Sequence, residues 1–116
     1  MSAMDRRRVA VLALPGVLPL DLGIAVQTFG SDPHYRAAVC CDPSDQPIRS
    51  GGFTLTPHCG LEALEEAATV VVPGYLVPDA PVSASVLESL RTAHARGARL
   101  VSICTGAFAP RRRRAA

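Results

Sequence analysis

At 116 residues the chain has room for one modest domain. It is 48% hydrophobic but only 4% aromatic, with no Trp, so any core is aliphatic. The net charge of +2 rests on residues 111–114 (RRRR): without them eight positive side chains face ten negative ones, a balance of −2, which excludes a basic nucleic-acid face on the body of the chain.

Residues 9–14 (VAVLAL) form a continuous apolar run between three arginines and Pro15-Gly16. The run reads as a strand buried on both faces, as in a parallel sheet. The arginines before it invite a signal-peptide reading, but Pro15-Gly16 cuts the run and Asp21 falls where a cleavage region would lie. No stretch reaches the ~18–20 apolar residues of a membrane span, so no membrane partner and a cytoplasmic location are expected. Next, residues 20–29 place Leu22, Ala25, Val26 and Phe29 at helical spacing, with Gly30 as the stop. Residues 35–41 (YRAAVCC) read as a second strand. Ile48-Arg49 and residues 53–56 flank Ser50-Gly51-Gly52 as a small hairpin.

Residues 61–67 predict a short helix with Leu61 and Leu64 on one face, and residues 69–72 (TVVV) a third strand cut by Pro73-Gly74. Residues 83–96 predict the clearest helix. Ser85-x-x-Glu88 reads as its capping box, Val86, Leu87, Leu90 and Ala93 as its apolar stripe, Gly97 as its end, and His94 as a residue on its solvated flank. A last strand, residues 100–104, is expected in the middle of the sheet. Strands alternating with helices in this way give an α/β fold with a doubly wound, mostly parallel sheet.

In such sheets the site lies beyond the carboxyl ends of the strands. Three loops converge there: residues 15–21, 73–75 and 104–107. The last belongs to LVSICTGAF (residues 100–108), an apolar run that stops at Cys104 and turns through small residues. That pattern delivers a nucleophile into a strand-to-helix turn, where helix N–H groups favour a thiolate. A buried structural cysteine at a strand end gives the same pattern. Cys104 is the candidate nucleophile or sensor thiol, and the backbone N–H groups of Thr105 and of the Gly74–Tyr75 turn are candidate oxyanion donors. Asp21 is the candidate acidic partner; by spacing alone it is equally a helix-start residue favoured by the dipole. Cys40, Cys41, Cys59 and Cys104 contain no CxxC pair and are expected as free thiols, with Cys40 and Cys41 on opposite faces of their strand. No metal site and no cofactor are expected from them or from His34, His58 and His94.

With these residues in hand the chain resembles the DJ-1/PfpI superfamily, of the class I glutamine amidotransferase-like, flavodoxin-like fold. LPGVLPLDLGIAVQTF resembles that family's first strand, loop and helix, with Asp21 at the family's acidic position. VVVPGY resembles its Pro-Gly loop and SICTGAF its cysteine elbow. The LDL segment and the SICTGAF form are most similar to the ligand-sensing N-terminal domain of AraC-type transcriptional regulators. The resemblance implies a basic extension over residues 1–8, a partial DJ-1/PfpI-like domain over 9–109 and a basic tail outside the family pattern over 110–116. It also implies a sheet incomplete at the C-terminus, read as a truncated or frame-shifted end. Catalytic members place a His after the nucleophile; only twelve residues follow Cys104 and none is His.

The reading is therefore a non-catalytic sensing domain for an unknown small-molecule ligand. It contacts no nucleic acid by itself and self-associates through an uncovered sheet. The alternative is a truncated cysteine-dependent enzyme, isocyanide hydratase-like or another hydrolase or lyase.

Overall fold

The structure, a computed structural model, describes residues 5–76 and 82–103. Its central strand, β1 (Arg8–Leu12), divides its side chains between two cores: Val9 and Val11 enter one, Ala10 and Leu12 the other. This is why its sequence is apolar without interruption. Around it run β2 (Arg36–Cys40), β5 (Thr69–Pro73) and β6 (Arg99–Ile103), all parallel, in the order β2-β1-β5-β6. A separate hairpin of β3 (Ile48–Ser50) and β4 (Phe53–Leu55) lies between β2 and β5 in the chain.

Helix α1 (Pro19–Gly30) packs Leu22 and Ala25 on the face of Val9 and Val11, with Ile48 of the hairpin in the same core. The opposite face receives Leu64 of α2 (Glu62–Glu66) and Val86 and Ala93 of α3 (Ala84–Ala95). The sheet is thus wound on both sides, and the expected α/β class and parallel order are observed. Cys40 and Cys41 fall into the two different cores, as alternation along a strand requires.

Two sequence expectations need correction. The N-cap of α3 is Ser83, not Ser85: the Ser83 hydroxyl accepts the Val86 N–H at 3.2 Å and donates to the Asp42 carboxylate at 3.1 Å. That second bond fixes the earlier serine as the cap. The buried line of the helix is Val86, Leu90 and Ala93, spaced four and three residues apart; Leu87 flanks this line and is exposed. Among the described residues β6 has a single neighbour, β5, and Leu100 is exposed, in keeping with the uncovered sheet expected at this strand. Gly97 does end α3 as expected. It adopts φ +102°, and the Gly97 and Ala98 N–H groups return to the carbonyls of His94 and Ala93, both at 3.0 Å.

Candidate functional site

The chain leaves β1 through Ala13 and Leu14, both buried, and must turn into α1 within a few residues. Gly16 makes the turn at φ +82°, and a Cβ there would overlap the Leu76 carbonyl oxygen. Only glycine suits both demands. Two backbone hydrogen bonds then join this loop to the one after β5: Leu18 N–H to Gly74 O at 2.8 Å, and Leu76 N–H to Gly16 O at 2.9 Å. They bracket Val17 and Tyr75 as a non-hydrogen-bonded antiparallel pair, so the Tyr75 N–H points away from the first loop.

Pro19 opens α1 at a position where its missing N–H costs nothing, and Asp21 follows in the first turn. Its side chain is wholly buried, and no buried side-chain nitrogen or oxygen among the described residues lacks a hydrogen-bond partner. Gly74 is the reason a carboxyl fits there. A Cβ on Gly74 would stand 2.5 Å from Asp21 Oδ2, 3.2 Å from Leu18 Cδ1 and 3.4 Å from the Ile103 carbonyl oxygen. The ends of β5 and β6 are stitched together at the same point, where the Gly74 N–H donates to Ile103 O at 2.7 Å. Asp21 of α1, Gly74 of the loop after β5 and Ile103 at the end of β6 therefore meet in one place, at the carboxyl ends of the strands.

That bond also occupies the Gly74 N–H, which the sequence reading offered as an oxyanion donor. Tyr75 is half-buried beside it and packs against the core shared with α2 and α3. Cys104 and Thr105 lie outside the described residues. All three histidines are exposed: His34 before β2, His58 ahead of Cys59 and His94 in the last turn of α3. Among the described residues no group of three or more His, Cys, Asp or Glu stands together as metal ligands.

Sequence reasoning missed the support from the hairpin. Ser50 is fully buried and donates to the Val17 carbonyl at 2.7 Å, and the Arg49 carbonyl accepts the Gly16 N–H at 2.9 Å. The turn at Gly51 lies against Pro19. The signal was present: Ile48 and Ser50, two apart on a strand, share a face, so a serine there faces inward with the isoleucine.

No protein-family model matches the chain. It is 33% identical over 110 residues to the uncharacterized protein in the cpoL 5′ region of Streptomyces lividans, covering 87% of this chain and 75% of that one. Three solved structures share the fold. A DJ-1 superfamily protein from Agrobacterium tumefaciens matches with a TM-score of 0.68 at 20% identity, over 89% of this chain and 56% of that one. A ThiJ/PfpI family protein from Pseudomonas syringae gives 0.73 at 23%, over 90% and 45%. An AraC family transcriptional regulator from Pseudomonas putida gives 0.57 at 20%, over 90% and 69%. The chain spans about half the length of the first two. It belongs to the family of the Streptomyces lividans cpoL 5′-region protein and has the DJ-1/PfpI fold.

Proposed function

We propose that the chain is a ligand-sensing domain of an AraC-type transcriptional regulator, with a small-molecule site at the carboxyl ends of β1, β5 and β6. The observation that carries this reading is the buried Asp21 carboxyl seated against Gly74. An acidic group withdrawn from solvent at the strand ends of an α/β sheet is a feature of binding and reacting sites. Likeness of fold to the Pseudomonas putida regulator supports it by analogy.

In this reading Cys104, the residue after Ile103, is the sensor thiol and Asp21 its acidic partner. The N–H groups of Tyr75 and Thr105 meet an oxygen of the ligand. Gly74 supplies room for the Asp21 carboxyl, its own N–H being held by Ile103. In this reading none of the three exposed histidines serves as a base for the thiol. The proposal extends to self-association along β6, whose outer edge has no strand neighbour among the described residues.

The test is a small-molecule screen by thermal shift, followed by product analysis on each hit. The expected result is a ligand that stabilises both the wild-type chain and Cys104→Ser without being converted, and no sequence-specific gel shift by the chain alone. A hit that is turned over by the wild type and left intact by Cys104→Ser would replace sensing with cysteine-dependent catalysis, the hydrolase or lyase reading.

A further inference from the structure

Two neighbouring thiols at the end of β2 have different fates. Cys41 points into the core beneath α1 and receives a hydrogen bond from Gln46 Nε2 at 3.3 Å. Cys40 points the other way, and its lateral partner is Cys59: the two residues form an isolated parallel bridge, with the Cys41 N–H donating to Cys59 O at 3.1 Å. Lateral partners in a sheet stand about 4.8 Å apart and send their side chains to the same face. That separation falls within the ~4.4–6.8 Å between Cα atoms that a disulfide spans. Both side chains pack in the core shared with α2 and α3.

Their access to solvent differs. Cys40 is fully buried. Cys59 is half-buried and lines a groove with Ala37, Ala38, Glu62 and Ala63. Burial, aided by the neighbouring Cys41 and Cys59 thiols and by Glu62, pushes the Cys40 thiol up to about 12, so it is not the sulfur that meets an oxidant first.

We propose that Cys59 and Cys40 are an oxidation-responsive pair, Cys59 reacting with a hydroperoxide and Cys40 resolving the product into a disulfide. In the first step the Cys59 thiolate attacks one peroxide oxygen. An S–O bond forms, the O–O bond breaks, and the second oxygen leaves with a proton as alcohol or water. Cys59 becomes a sulfenic acid, its sulfur oxidised by the two electrons that reduce the peroxide. In the second step the Cys40 sulfur attacks the Cys59 sulfur. The S–S bond forms, the S–O bond breaks, and hydroxide leaves with the Cys40 proton as water. The link would tie the segment leading into α2 to the end of β2.

The experiment treats the reduced full chain with stoichiometric hydrogen peroxide under native conditions, alkylates the remaining thiols and maps peptides without reduction. Circular dichroism of each variant verifies its fold. The expected product has lost two hydrogens and joins Cys40 to Cys59, in the wild type and equally in Cys41→Ser and Cys104→Ser. In Cys40→Ser the link disappears and Cys59 stops at the sulfenic acid, which a second equivalent of peroxide carries on to sulfinic acid. The proposal is overturned if Cys59 in the wild type reaches sulfinic acid unlinked or stays reduced. A bond to Cys104 or to a second chain, or a Cys40–Cys59 bond made only in denaturant, would equally overturn it.

Discussion

At the carboxyl ends of its strands the molecule is closed by glycines, loop-to-loop backbone hydrogen bonds and a buried carboxyl; at the amino ends it is closed by exposed arginines. Gly16, Gly74 and Asp21 occupy the first end, with no space for an added atom. At the second, Arg8 pairs with Glu66 at 2.5 Å, and Asp5 stands within 3.6–3.9 Å of Arg7, Arg8 and Arg36, all on side chains a third or more exposed. Charge in water is forgiving of change and close packing is not. Sensitivity to substitution should therefore be concentrated at the end that carries the candidate site.

The largest expected effect is at Gly16. Gly16→Ala meets both a left-handed backbone, costing ~1–2 kcal/mol, and overlap with a backbone carbonyl, costing ~1–3 kcal/mol. A loss of about 3 kcal/mol by urea denaturation is expected. Gly97→Ala isolates the first term, because Gly97 has φ +102° and open space around it, and should lose only about 1–2 kcal/mol. Equal losses at the two glycines would remove the packing half of the comparison.

Gly74→Ala comes next, at about 1–3 kcal/mol, because its Cβ would press on Asp21 Oδ2. Pairing it with Asp21→Ala sharpens the point: removing the carboxyl removes the clash, so the two changes should couple by at least about 0.5 kcal/mol. Additive losses would mean that Gly74 and Asp21 are not in the contact described.

A smaller effect concerns acid. The Ser44 N–H, and then the hydroxyls of Ser44 and Ser83, outweigh burial and hold the Asp42 carboxyl below its ordinary 3.8. A carboxyl lowered in the folded state adds stability that is fully present above 3.8 and is lost as the pH falls through the lowered value. Urea midpoints of the wild type should fall across that acid window relative to those of Asp42→Asn. Parallel pH profiles would show that the Asp42 carboxylate contributes nothing through its hydrogen bonds to Ser44 and Ser83. The smallest effect is at the amino end, where Arg8→Ala should cost under about 1 kcal/mol and less still in high salt. A loss there as large as that at Gly16 would abolish the distinction between the two ends.

What could be read from the sequence follows from how local each feature is. β1 was legible because its whole pattern, apolar on both faces and stopped by Pro15-Gly16, lies in one short stretch. The end of α3 was legible for the same reason, since Gly97 carries its conformation with it. The start of α3 was not: Ser83 and Ser85 are equivalent as local caps, and the choice rests on Asp42, 41 residues earlier in the chain. Asp21 could be named but not weighed, because its burial depends on Gly74 having no side chain. The inward face of Ser50 is legible beside Ile48, but its partner, the Val17 carbonyl, is 33 residues away and is not.

The two-sided burial of β1 has a further consequence. In a strand with one wet face, sliding by a single residue puts apolar side chains in water, and hydrophobicity alone forbids it. β1 has no such safeguard. A one-step slip would exchange Val9 and Val11 for Ala10 and Leu12, and both sets would still be dry. Alignment must then be imposed from outside the strand, by the carbonyls and N–H groups that catch the chain at Gly16 and Leu18 as it leaves. The loop at the candidate site is thus also the latch that tells the central strand where to stop.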